Sequence, residues 1–369
     1  MAKRRKFSWF TCLLCSFLAL IIGAILGFGV YSYINFPDKK TDSDVYVSGD
    51  LQIHFLELGN KYTGDCTYIK AGDTDILIDA GSRSYADNVS HISNYINQYI
   101  TDGKLEYVIA THADRDHIAC FGMGVNGTSL FDLYDVDLII DFAKTNKDTD
   151  VYNNYVRERD DAVQRGATHY TALECWNETN GAKRVYQVSR GIEMEILYNY
   201  YYEHESDDEN NYSVCTMFNQ GDKHFLFTGD LELEGEQKFV AHNPNLPQVE
   251  LFKAGHHGSK TSSNDFLLSI IQPKICAVCC CTGSPEYGAH EQNTFPTQAF
   301  IDRIAQYTKQ VYVTTLCVDY ENNQFTSMNG NIKITSTPKG TEVECSNNNL
   351  FLKDTDWFKN NRICPPKWK

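Results

Sequence analysis

Glu106-Tyr107-Val108-Ile109-Ala110-Thr111-His112-Ala113-Asp114-Arg115-Asp116-His117 runs from an apolar, β-branched stretch into four metal-binding side chains crowded within six positions. Such a run reads as a strand that empties into a ligand loop. Alternation at the strand end sends His112, Asp114 and Asp116 one way, and His117 opens the next turn or helix. Carboxylates and imidazoles this close repel one another or lose hydration unless a cation holds them together, so the cluster argues for metal. A solvated polar loop would account for one His-x-Asp pair, but not for the whole run.

Around this run the chain reads as strands with helices interposed. Leu51 to Leu58 alternates as a strand. Cys66 to Lys70 and Asp75 to Asp79 form two more, separated by the turn Ala71-Gly72-Asp73. Val89, Ile92, Ile96 and Ile100 give helical spacing over Asp87 to Ile100, and Val136 to Ile140 reads as a strand. Residues 147–165 read as a solvent-facing helix, a candidate lid. In the second half Ser213 to Phe218 and Lys223 to Phe227 form a hairpin, with strands at Glu193 to Tyr198, Val249 to Lys253, Ile275 to Cys281, Val311 to Thr315 and Ile332 to Thr335. Glu232 to Ala241 and Gln298 to Tyr307 read as helices. Tyr198-Asn199-Tyr200-Tyr201-Tyr202 reads as a half-buried strand with a wet edge. Two similar strand-rich halves imply an α/β protein, two sheets face to face with helices outside.

Four ordered motifs resemble the metallo-β-lactamase superfamily. The loop at 112–117 is similar to its His-x-His-x-Asp-His signature, with Asp114 in place of the second His, a variant of the competence-type proteins that take up DNA and of their stand-alone relatives. Ile76-Leu77-Ile78-Asp79-Ala80-Gly81 resembles the family's early Asp-x-Gly strand, Phe225 to Asp230 its Thr-Gly-Asp strand end, and Leu251 to Ser259 its His-His-Gly-Ser element. The resemblance spans residues 50–340 and implies a four-layer αββα sandwich holding two divalent ions. A carboxylate-rich donor set is hard, so Mn or Fe fits besides Zn. Carried over by position, His112 and Asp114 hold one ion and Asp116 and His117 the other. Asp230 bridges them and His257 completes the second site, with His256 the alternative. Where the family usually places a mid-chain His, this chain offers Asn210 first and Asn211 second. Asp79 is expected behind the ligands, and Gly64-Asp65-Cys66 as a turn. Phe295-Pro296 stands where relatives often show His-Pro.

The resemblance also implies the chemistry. Bound divalent ions bring the pKa of a water from about 15.7 toward 7, supplying hydroxide as nucleophile. Asp116 is the residue expected to orient it and take its proton, and His256 to protonate the leaving group.

The chain of 369 residues, with 42% hydrophobic and 13% aromatic content, is that of a folded protein. Lys3-Arg4-Arg5-Lys6 precedes an uncharged run from Phe7 to Pro37, longer than the about 20 apolar residues that span a bilayer. A cleaved signal peptide is the competing reading; its apolar region would be shorter and end in a small-x-small site. The expected organisation is a basic cytoplasmic stub and single transmembrane helix at 1–36, a linker at 37–49, the hydrolase domain at 50–340 and a C-terminal tail at 341–369. Basic residues before the span place the amino terminus inside and the catalytic domain outside the cytoplasm. Residues 1–40 hold six basic residues and one acidic; taking them from the 33 basic and 48 acidic residues leaves 27 against 47, a net charge of −20. That sign opposes non-specific binding to nucleic acid.

Most of the 13 Cys lie in apolar runs and read as core residues, while Cys345 and Cys364 are a candidate disulfide. The function expected is a membrane-anchored, extracytoplasmic metal-dependent hydrolase of phosphodiesters, its partners the membrane and a nucleic acid or envelope polymer. An esterase of phosphorylcholine type at the cell envelope is the alternative substrate reading. A catalytically degenerate binding or scaffold module is the alternative of another class. β-Lactam hydrolysis is disfavoured because those enzymes keep three His at the first site.

Overall fold

The computed structural model describes residues 51–82, 85–122, 127–288, 290 and 293–369. The expected anchor at 1–36 and linker at 37–49 lie outside them. No helix among the described residues is long and apolar enough to cross a membrane.

Among the described residues sixteen strands form two eight-stranded sheets. The first is built from β1 (Leu51–Phe55), β2 (Cys66–Ala71), β3 (Thr74–Ala80), β4 (Lys104–Ile109), β5 (Asp135–Asp141) and β6 (Thr168–Thr171). The second holds β7 (Val185–Ser189), β8 (Ile192–Leu197), β9 (Cys215–Gln220), β10 (Lys223–Phe227), β11 (Leu251–Lys253), β12 (Ile275–Thr282), β13 (Gln310–Asp319) and β14 (Gln324–Ser327). The chain then returns to the first sheet with β15 (Ile332–Thr337) and β16 (Gly340–Cys345), giving the order β16-β15-β1-β2-β3-β4-β5-β6. The second sheet runs β14-β13-β12-β11-β10-β9-β8-β7.

Apolar side chains of both sheets meet in one core: Ile53, Phe55 and Ile78 from the first, Phe218, Phe225 and Phe227 from the second. The Phe55 and Phe227 rings lie 6.1 Å apart across it. Each fully buried side chain of this size contributes about 1.5–3 kcal/mol of transfer free energy. Val89, Ile92 and Ile96 of helix Tyr85–Ile96 cover the first sheet. Leu267, Phe300 and Ile304, from helices Asp265–Ile271 and Gln298–Ile304, build a second core on the outer face of the second sheet. This is a mixed α/β fold with two large sheets.

In each sheet four neighbouring strands are parallel: β3 to β6, ending at the edge of the first, and β10 to β13 in the second. The loops after β4, β10 and β11 therefore leave at strand carboxyl ends, where open α/β sheets hold their ligands. A backbone bond from Val214 N to Thr111 O (2.8 Å) ties the two sheets together at that edge.

Four expectations are corrected. Helix Asp150–Arg165 is no lid: Val151, Tyr155, Glu158 and Ala162 are buried, and Tyr155 donates to Asp141 Oδ2 (3.0 Å). Its apolar stripe is thin because a few large rings do the packing. The tyrosine cluster is a tight turn at Tyr200–Tyr202 after β8, not a strand, with the Asn199 side chain accepting from Tyr201 N. Residues 341–369 are no loose tail. β16 pairs with β15 along its length, and Leu352, Phe358 and Trp368 are buried in the second core. Cys345 and Cys364 are free thiols packed against different cores. The cysteines of β12 are buried, as their apolar setting requires.

Candidate metal centre

The loop after β4 turns at once into the short helix Arg115–Ile118, and close backbone approach makes that turn possible. A Cβ on Gly81 would stand 2.4 Å from Asp116 C and 2.4 Å from His117 N. Asp65 N donates to Asp116 O, and Gly81 N to Asp65 O, both at 2.9 Å. The ends of β2 and β3 are thereby stitched to the ligand loop.

Four buried side chains converge: Asp65, His117, Asp230 and His257 each offer a ligand atom, all within 4.8 Å of one another. Asp230 Oδ2 lies 3.1 Å from both His117 Nε2 and His257 Nε2. Asp116 Oδ2 is 3.3 Å from His257 Nε2 and accepts from the Tyr287 hydroxyl. Each imidazole is held from behind. His117 Nδ1 bonds to Asp79 Oδ2 (2.8 Å), and His257 Nδ1 to Cys279 O (2.8 Å). Asp79 also accepts from Thr111 N (2.8 Å) and Thr111 Oγ1 (2.7 Å), with its backbone in the left-handed region at φ 55°. His256 and His257 share that region at φ 44° and 55°, strain of about 1–3 kcal/mol per residue. It sends the two rings apart: His257 into the cluster, His256 onto Glu232 Oε1 at 2.6 Å.

Electrostatics follow from the crowding. Burial alone would push the His257 imidazole down, but Asp230 and Asp65 outweigh it and raise it to about 10. His117 is likewise lifted well above its ordinary value against burial by Asp230 and Asp79. Burial would raise Asp116, yet His257 and His117 hold it far below the usual carboxylate range. Lys253, itself buried, places Nζ 2.6 Å from Asp65 Oδ2 and 3.7 Å from Asp230 Oδ1.

The donor set fits a divalent ion. His112 Nε2, His257 Nε2, Asp65 Oδ1 and Asp230 Oδ1 are buried without a hydrogen-bond partner. Each such atom costs about 1–3 kcal/mol unless something satisfies it. One cation among these donors would satisfy several at once, taking over the role of the imidazole protons.

The remaining expected residues are nearby but differently engaged. His112 is fully buried, its ring 4.1 Å from that of His117, with Nδ1 on Thr111 Oγ1 (3.1 Å). Asp114 Oδ2 lies 3.6 Å from His112 Nε2, while its Oδ1 meets Lys147 Nζ at 2.5 Å. Asn210 donates to Glu232 Oε1 (3.3 Å), and Asn211 turns away to Ser206 Oγ (3.1 Å). Asp114, Arg115, Asp116, Asn210, Asp230, His256 and Tyr287 line a cleft of about 520 Å³. Phe295 closes its apolar side, 5.2 Å from the Tyr287 ring and 5.9 Å from that of His257.

Sequence reasoning missed Asp65, Lys253 and Tyr287 as members of this centre. Asp65 had a signal: β2 pairs with β3 so that Cys66 faces Ala80, which puts Asp65 beside Gly81 at the edge that carries Asp79. Lys253 and Tyr287 had none, since a Lys closing a strand and a Tyr in a loop are ordinary.

Residues 59–125 match the model of the metallo-beta-lactamase superfamily, and the two-sheet fold stands around this centre. Among curated proteins it is 26% identical over 276 residues to "Recombination protein 2" of Haemophilus influenzae, covering 74% of this chain and 29% of that protein. It is 28% identical over 182 residues to "ComE operon protein 3" of Bacillus subtilis, covering 47% of this chain and 20% of the relative. The chain thus spans less than a third of either relative. A similar solved structure is the metallo-beta-lactamase fold protein YhfI from Bacillus subtilis, with TM-score 0.41 and 11% identity over 73% of this chain and 97% of that one.

Proposed function

We propose that this chain is a metal-dependent hydrolase of phosphodiesters, anchored by residues 1–36 with its catalytic domain outside the cytoplasm. The observation that carries the reading is the convergence of Asp65, His117, Asp230 and His257 beside an open cleft. The competence-related relatives, one named for recombination, favour a nucleic acid or similar phosphodiester as substrate. The acidic balance outside residues 1–40 favours short or envelope-borne substrates over processive movement along nucleic acid.

Asp116, His117, Asp230 and His257 would hold one divalent ion, with Asp65 at its flank. His112, Asp114 and Asn210 would hold a second that shares Asp230. Bound there, divalent ions supply Lewis-acid activation of water and of the substrate oxygen. The side chains divide the remaining work. Asp79 fixes the face of His117, and Cys279 O that of His257. Tyr287 holds one oxygen of Asp116, leaving the other to take a proton from water. His256, its proton retained against burial by Glu232, faces the cleft as the acid for the leaving oxygen.

The full chain, freed of adventitious metal and reloaded with Mn²⁺, tests the proposal on bis-p-nitrophenyl phosphate, p-nitrophenylphosphorylcholine, single-stranded DNA and nitrocefin. Asp116→Ala serves as the control. Hydrolysis of a phosphodiester that Asp116→Ala abolishes is expected. Turnover of nitrocefin alone would end the phosphoesterase reading, and failure to bind one equivalent of Mn, Fe or Zn would leave a scaffold module.

A further inference from the structure

Asp114 is an expected ligand that the fold pairs closely with a lysine from outside the ligand loops, Lys147 Nζ standing 2.5 Å from its Oδ1. Lys147 reaches it from the loop between β5 and the helix Asp150–Arg165, and that loop is built rather than slack. Glu209, buried, accepts from Thr145 Oγ1 (2.8 Å), from Asn146 N (2.7 Å) and from Ala113 N (3.1 Å). One carboxylate therefore fixes the Lys147 loop, the ligand loop and the turn that carries Asn210. Lys147 N closes the arrangement on Thr145 Oγ1 (3.0 Å). The ammonium is then held 2.5 Å from Asp114 Oδ1, while Asp114 Oδ2 faces the unsatisfied His112 Nε2.

The neighbouring groups differ in the same sense. The Asn210 amide is neutral and engaged with Glu232, so this corner has a single imidazole and a single carboxylate, already paired. The other corner has His117, His257, Asp116 and the shared Asp230, with Asp65 alongside.

We propose that the Lys147 ammonium stands in for a divalent ion at the His112–Asp114–Asn210 corner, so the chain holds one ion tightly and a second only weakly. This rests on the metal-dependent reading above and refines it. An ion entering that corner must displace Lys147 from Asp114 or share the carboxylate with it, and like charges at that range oppose each other.

The test is stoichiometry, not turnover. Full-length wild type, Lys147→Gln and Lys147→Arg are titrated with Mn²⁺, desalted and measured by elemental analysis, with electron paramagnetic resonance to separate isolated from spin-coupled Mn²⁺. Wild type and Lys147→Arg are expected to retain one equivalent with the spectrum of isolated ions. Lys147→Gln is expected to bind the second equivalent about two- to fivefold tighter, with coupling, the scale of a partly exposed ion pair removed. Two tightly held equivalents in wild type, or a Lys147→Gln profile identical to wild type, would overturn the inference while leaving the metal-dependent reading intact. No retained metal in any of the three would overturn both.

Discussion

Replacing Lys253 with Met separates the charge that folds the centre from the charge that works in it. Lys253 closes β11 only 3% exposed, its Nζ 2.6 Å from Asp65 Oδ2 and 3.7 Å from Asp230 Oδ1. Met keeps most of the volume and removes the ammonium. Two buried carboxylates then lose their fixed cation, and breaking a buried pair on one side costs about 3–5 kcal/mol. At about 2 °C per kcal/mol for a chain of this size, the metal-free protein should lose roughly 6–10 °C in melting temperature.

A bound divalent ion would supply the missing charge, so the loss should shrink in Mn²⁺. Differential scanning calorimetry in chelator and in Mn²⁺ measures both losses. A loss below about 1 kcal/mol in chelator, or an equal loss with and without Mn²⁺, would refute the reasoning.

Three further outcomes are expected. Asp79→Asn keeps a side chain that tolerates the left-handed backbone at φ 55° but weakens the grip on His117 Nδ1; metal affinity should fall about 10–100-fold with the fold retained, read by competition with a chromophoric chelator. In chelator, the contribution of His257 is fully present below its ordinary value of 6.5 and is lost as the pH rises through about 10, so urea midpoints should fall across that window. Metal affinity should rise over the same range, because binding must release that proton; flat profiles in both measurements would contradict the assignment. Gly81→Ala drives a methyl into the backbone of Asp116 and His117 and should cost about 1–3 kcal/mol together with metal retention, seen in denaturation and elemental analysis.

The fold was legible where pattern follows period. The β2–β3 hairpin, the strand into His112 and the β9–β10 hairpin stand within a residue or two of where alternation places them. Thin patterns misled. Tyr155 and three other buried positions anchor a helix whose remaining surface is polar, so its packing hid behind its composition. β16 reads as polar because an edge strand keeps one face in water, and the apolar content of 346–369 is carried by a few isolated large side chains such as Phe358 and Trp368.

The centre divides along the same line. Donors arrive in the sequence as local clusters, because a loop must deliver several of them from one strand end, and that brought His117, Asp230 and His257, three of the four that converge, within reach of the sequence. What balances their charge arrives singly from distant elements: Lys253 on Asp65 across the two sheets, Lys147 on Asp114 across a loop, Tyr287 on Asp116 from 171 residues away. No spacing rule encodes those pairs, since each depends on register between elements that are remote in the chain. Yet compensation governs how many cations the centre can hold. With Asp114 paired to Lys147 and Asp65 to Lys253, two of the carboxylates are neutralised by the protein itself. Asp116 and Asp230 are left beside two imidazoles, a donor set matched to one divalent charge. The first corner therefore differs from the second less in its missing His than in the lysine that already occupies its acid.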